Sequence, residues 1–220
     1  VGSVQMCIRD SSLGVVITSE ICGIILTRIA TSAPQRAHEL TGASLFSVAG
    51  NATYQNAYTL FILPYSLIAV SVSTAMFPKI SRSIAAANLD EARHDLVSAL
   101  NNVGLLIMFF AAAMVVFPEP IIRALLPSVS MDETMLISYA LIALSMGIPL
   151  GSAFLLIQRT FYAFEDGLHP FLSAVMQYGF TSIFMIIGMM VLPPEHWVLG
   201  IACSVTLGGL LAVSYTHLTL

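Results

Sequence analysis

The sequence predicts an all-α integral membrane protein, a bundle of six transmembrane helices. Residues Ala57–Pro78 (AYTLFILPYSLIAVSVSTAMFP) run for 22 positions without a charge and end at the basic segment Lys79-Ile-Ser-Arg82. A run of this length crosses a bilayer, and the basic cluster marks which side its end faces. Two more uncharged runs, Leu96–Phe117 and Thr134–Ile157, repeat the pattern. Hydrophobic residues make up 57% of the chain and charged residues 9%. Soluble domains carry roughly 25% charge, so too few polar residues remain here to cover a core in water.

The spans follow in order. Leu13–Thr31 is the first, and it carries Glu20 near its middle and Arg28 near its end. Residues 33–51 hold Pro34, Arg36, Glu39, Gly42 and Gly50 and read as a polar connection. The second span, 57–78, is interrupted by Pro64. In Ile80–Asp95, Asn88 is an expected N-cap with Glu91 three residues on, and Asp90 shares a helix face with Arg93 and His94. That stretch reads as a solvated first turn, or else as a partner surface. The third span is 96–117, closed by Pro118-Glu-Pro120, and IIRALL after it suits the membrane interface. Ser130 is the expected cap of the fourth span, 134–157. Gly147, Pro149 and Gly151 break that span, either as a packing kink or as a moving, cavity-lining break. The fifth span is 171–192. Pro193–Trp197 turns the chain into the sixth, 197–212.

Val1–Ser12 and the tail from about Val213 do not continue the patterns beside them. Both resemble translated sequencing-adapter read-through, so the expected informative chain is 13–212, with both natural ends missing.

Counting bases orients the bundle. Lys79, Arg82, Arg93 and Arg159 fall on one side, and Arg36 and Arg123 on the other. The excess places the Lys79 end in the cytoplasm.

Several functions are excluded or unsupported. The net charge of −4 gives no footprint for nucleic acid. Cys7, Cys22 and Cys203 lack metal or disulfide spacing, and no metal or other cofactor is expected. No catalytic motif occurs, so no enzyme and no catalytic residue is predicted. The polar groups inside spans are the lead. A charge at mid-membrane costs on the order of 2.5–3.5 kcal/mol and generally faces a cavity or a partner. Glu20 and Arg28 lie about 80° apart around a helix and about 12 Å along it, too far to bridge but able to line one wet face. Arg28 has a second reading, snorkelling to the interface. Asn56 and Thr59 are candidates at the start of the second span. Asn101 and Asn102 are expected to bond between helices.

Three stretches resemble the MurJ (MviN) family of lipid II flippases, within the superfamily of multidrug, oligosaccharidyl-lipid and polysaccharide exporters. LPYSLIAVSVSTAMFPKISR, from Leu63 through Pro78 to Arg82, is similar to the family's LPxGLFGVALxTVLLPxLSR. FPEPIIRALL, containing Arg123, is similar to AEPIVRLLF. RTFYAFEDGLHP, containing Arg159, Tyr162, Asp166 and Pro170, is similar to RxFYAxxDxxxP. The wording QNAYTLFILP is nearest to actinobacterial members.

The resemblance implies the second six-helix lobe of a fourteen-helix protein, without the first lobe and the last two helices. It implies a bacterial plasma membrane location. It also implies movement of undecaprenyl-pyrophosphate-linked disaccharide pentapeptide between leaflets, by alternating access around a cationic cavity used in cell-wall synthesis. The implied partners are that lipid, membrane lipids and the first lobe. Many family members carry arginine five residues before the proline matching Pro64, where this chain has Thr59. Arg28 is therefore the expected substitute cation. Two other readings stand beside this one: another exporter of the superfamily, and a membrane scaffold for cell-wall proteins.

Overall fold

A computed structural model describes the backbone of residues 2–219 and the side chains of residues 13–214. Residues 1–12 and most of the tail, to which the adapter reading applies, lie outside the described side chains. Among the described residues every regular element is helical. The elements are α1 (Gly2–Thr41), α2 (Asn51–Pro64), a π-helical turn (Tyr65–Val70), α3 (Ser71–Ala85), α4 (Leu89–Val116), α5 (Pro118–Leu125), α6 (Met131–Ser145), α7 (Ile148–Ala163), α8 (Leu168–Val191), a 3-10 turn (Pro194–His196) and α9 (Trp197–Thr219). Five helical stretches are long and apolar enough to cross a membrane, and α6 with α7, bent by 42°, makes a sixth as one broken span. The protein is a multi-pass membrane protein.

The first span corrects the sequence reading of residues 33–51. They are not a connection from Ala33 onward, because α1 continues to Thr41. Pro34 stays inside the helix although it removes an amide donor. Its neighbours explain this. Ala30, Ala33 and Ala37 are fully buried, and Gly50 packs so closely that a Cβ there would lie 3.1 Å from Pro34 Cγ. Packing of this small-residue stripe outweighs local propensity. Gly42, at φ +71°, then ends the helix, as a left-handed C-terminal residue does.

The expected caps are present. Asn88 Oδ1 accepts from the Glu91 amide, and Asn88 Nδ2 donates to Glu91 Oε2 at 2.9 Å. Ser130 Oγ accepts from the Glu133 amide. Asp166 Oδ1 accepts from the amides of Leu168 and His169 and so caps α8.

The helices pack into one layered bundle. α9 lies along α8, α8 along α1, α2 along α6, and α4 against both α3 and α7. Among the described glycines the tightest approach is at Gly208, where a Cβ would fall 1.9 Å from Thr181 Oγ1 and 2.9 Å from the Gln177 carbonyl. Only glycine lets α9 approach α8 this closely. Leu60, Ile107, Ile137, Leu141, Ile148 and Ile201 fill the centre. Leu105, Phe109 and Met190 are exposed, as lipid-facing positions are. Thr41 Oγ1 donates to Glu195 Oε1 at 2.9 Å, which puts the end of α1 and the α8–α9 turn on the same side of the bundle. That is the alternation six spans require.

Candidate functional site

Two helix breaks meet inside the bundle. The first begins at Pro64. Proline supplies no amide, and the chain widens into the π-turn Tyr65–Val70 before α3 resumes. The second separates α6 from α7. The Gly147 amide bonds back to the Leu144 carbonyl at 2.9 Å, so the Ala143 carbonyl loses its usual helical donor. Thr206 Oγ1 on α9 supplies the replacement, 2.8 Å away. Most other span hydroxyls, such as those of Thr59, Ser138, Ser152 and Thr181, bond only to their own helix four residues back. Thr206 is thus set apart as a stitch across helices. A Cβ on Gly147 would sit 2.9 Å from the Thr206 hydroxyl, so the glycine makes room for the stitch. On α7, Gly151 lies beside the Tyr65 ring, 3.7 Å from where its Cβ would be. Pro64, Gly147, Pro149 and Gly151 therefore belong to one pair of abutting breaks.

A tyrosine cluster flanks this pair, and the sequence reading did not single it out as a unit. Tyr54 and Tyr58 stack with ring centroids 6.0 Å apart, and Tyr58 meets Phe61 at 5.6 Å. Tyr58, Tyr65 and Tyr178 are partly buried and pack against the core. The signal was the four-residue spacing of Tyr54 and Tyr58, which places both on one helix face.

The candidate charges lie elsewhere. α1 buries Cys22, Ile29, Ala30, Ala33 and Ala37 along one stripe. Glu20 and Arg28 project from the opposite face and are exposed. Neither makes an ion pair or side-chain hydrogen bond among the described residues. Asn56 is half-buried on α2, and Thr59 is exposed with its hydroxyl donated to the Gln55 carbonyl at 2.8 Å. No hydrogen bond joins the α1 pair to the α2 pair.

The motif residues split between the two ends of the bundle. Pro78 and Arg82 lie on α3, where Arg82 Nε reaches the Pro78 carbonyl at 3.3 Å. Arg159, Tyr162 and Asp166 stand at the end of α7, and Pro170 is buried in the first turn of α8. Arg123 is exposed on α5, with Nη1 3.9 Å from Met131 Sδ. Asp166 also pairs with His169 Nδ1, and the His169 ring stacks on Phe161 at 5.4 Å. Burial pushes the Asp166 carboxyl up. Hydrogen bonds from the His169 ring and from two backbone amides outweigh it, with the ring's charge, and hold the carboxyl below its ordinary value.

Asn101 and Asn102 differ from expectation. Both are exposed and make no side-chain hydrogen bond among the described residues. The α4 face that packs on the bundle is the opposite one, through Ala99, Val103 and Ile107. Asp90, Arg93 and His94 share a face as predicted, with no ion pair between them.

Two solved structures share the fold. A solved structure described as lipid II flippase MurJ, inward closed conformation, superposes with a TM-score of 0.74 at 24% identity, covering 93% of this chain and 40% of that one. A MOP superfamily transporter from Pyrococcus furiosus shares the fold at a TM-score of 0.60 and 16% identity, over 98% of this chain and 46% of its own. The lipid II flippase MurJ of Thermosipho africanus (strain TCF52B) is 27% identical over 167 residues, 73% of this chain and 32% of the relative. The chain thus spans about a third of that relative's length. The family model described as lipid II flippase MurJ matches residues 19–220, nearly the whole chain, and the chain belongs to the MurJ family.

Proposed function

We propose that this chain is one six-span lobe of a lipid II flippase in a bacterial plasma membrane, working by alternating access against a second lobe of the same polypeptide. The observation that carries the reading is the exposed face of α1. In a chain of this family, Glu20 and Arg28 stand on that face without partners among the described residues. Unpaired charges at membrane depth are costly unless a wet cavity or a charged ligand meets them. A pyrophosphate linkage is such a ligand, and a guanidinium suits it through paired, charge-assisted hydrogen bonds. Arg28 then supplies the cation that family members place at the Thr59 position. Glu20 balances the face when no substrate is present. The abutting breaks at Pro64 and Gly147 allow the two ends of the lobe to move differently.

The competing reading is a membrane scaffold that works through its loops. Charge-neutral changes separate the two. In the complete protein, Glu20→Gln with Arg28→Gln should abolish movement of lipid II between leaflets while leaving folding and abundance unchanged. Full translocation by the double variant would remove the flippase assignment of this face.

A further inference from the structure

The break between α6 and α7 leaves one residue with two unmet polar groups. Ser145 ends α6 and is fully buried. Its hydroxyl has no hydrogen-bond partner among the described residues. The buried serines on either side of it behave otherwise. Ser138 Oγ donates to the Thr134 carbonyl and Ser152 Oγ to the Ile148 carbonyl, both at 2.8 Å and both four residues back. Ser145 Oγ makes no such bond to Leu141. The Ser145 carbonyl is unmet as well. In an unbroken helix the amide of residue 149 would reach it, and Pro149 has none. No turn bond among the described residues ends on that carbonyl either. Both groups belong to one residue, so a single small molecule can touch both. Ser145 stands near the middle of the uncharged run 134–157, about 17 Å from each end. At that depth an unmet carbonyl or hydroxyl is strongly unfavourable.

We propose that one internal water occupies this break, donating to the Ser145 carbonyl and accepting from the Ser145 hydroxyl. It stands in for the amide that Pro149 lacks. A buried water needs two or more polar partners, and ordered waters satisfy freed backbone groups in this way inside membrane bundles. The nearby protein donors are spent. Thr206 Oγ1 already donates to the Ala143 carbonyl, and the Gly147 amide to the Leu144 carbonyl. A metal cation fits less well. No acidic residue occurs in α2, α7 or α9, or in α6 beyond its first turn. The end of α6 and the start of α7 also bring opposite dipole ends together, which leaves little net field to hold a charge. The water makes the 42° bend tolerable, because the carbonyl it serves needs no amide from α7. Its presence is independent of what the lobe transports.

X-ray radiolysis of the complete protein in isotopically labelled water, read by mass spectrometry, oxidises side chains that touch bound water. Leu144 and Ile148 flank Ser145 and are fully buried, as Ile107 and Ile201 are elsewhere in the bundle. Leu144 and Ile148 should take up labelled oxygen several-fold faster than Ile107 and Ile201. S145A with P149A removes the hydroxyl and returns the amide, and should bring both residues down to the control rate. S145A alone should lower the unfolding temperature, since it takes a partner from the water. Unlabelled Leu144 and Ile148 in the wild type, with the exposed Met146 oxidised as proof of reaction, would overturn the proposal without any variant having to fold. Unchanged labelling in the double variant would also overturn it. So would a higher unfolding temperature in S145A, the outcome for a hydroxyl buried dry.

Discussion

Lys79–Asp95 and Glu20–Arg28 are both opposite charges carried by membrane helices, and the chain treats them differently. Lys79 Nζ donates to Asp95 Oδ1 at 2.6 Å and ties α3 to α4. Asp95 is buried, with its second oxygen unpartnered, while Lys79 remains half exposed and reaches water. Glu20 and Arg28 lie two helical turns apart on one exposed face, and neither has a partner among the described residues. The first pair completes the lobe. Under the proposed function, the second pair is completed by substrate rather than by another helix of the lobe. The contrast is between a charge pair that joins two helices and a charged face that joins none among the described residues.

The largest expected loss of stability tests the structural half of that contrast. Lys79→Met leaves a buried carboxylate with neither oxygen bonded and should cost about 1–3 kcal/mol, discounted from a fully buried pair because Lys79 touches solvent. Lys79→Arg should recover most of it. Glu20→Gln and Arg28→Gln should shift unfolding by less than about 0.5 kcal/mol, since exposed sites rarely matter more. Equal losses at all four substitutions, measured by unfolding in mixed micelles, would erase the distinction.

A similar contrast exists between the two glycines at the α6–α7 break. Gly147→Ala forces a Cβ against the Thr206 hydroxyl and should cost about 1–3 kcal/mol. Gly151→Ala meets only ordinary contact with Tyr65 and should be tolerated. Thr206→Val removes the stitch to the Ala143 carbonyl without adding bulk, and about 0.6 kcal/mol is the usual size of such a bond in a membrane bundle. If Gly151→Ala proved the worse of the two glycine changes, the assignment of the crowded position to Gly147 would be wrong.

The smallest effect is at the α7–α8 loop. The lowered pKa of Asp166 means its capping contribution is fully present above the ordinary carboxylate range and is lost as pH falls through the lowered value. Protection of the Leu168 and His169 amides, corrected for the intrinsic pH dependence of exchange, should therefore be flat near neutrality and should fall only below about pH 4. Asp166→Asn should remove that pH dependence. An unchanged acid profile in the variant would assign the cap elsewhere.

The spans were legible because an uncharged run of 22 residues has few alternatives, and the caps at Asn88 and Ser130 because their chemistry is local. The continuation of α1 through Pro34 was not legible. It depends on Gly50, some 16 residues away in sequence, packing onto that proline. The Thr206 stitch was hidden for the same reason, since its acceptor is 63 residues distant. The sequence pointed to Gly147, Pro149 and Gly151 but not to which of them is crowded. It also marked Asn101 and Asn102 as polar in a span and paired them with another helix, when their face is the one turned away from the bundle. Periodicity gives the faces of a helix, but which face is covered depends on the partners.

Complementation by Arg28→Ala, in the complete protein at wild-type abundance and in cells depleted of their own flippase, tests the central claim most directly. The account predicts loss of growth with Arg28→Ala and partial rescue with Arg28→Lys, which keeps the charge and loses the paired geometry. Wild-type growth with Arg28→Ala would contradict it.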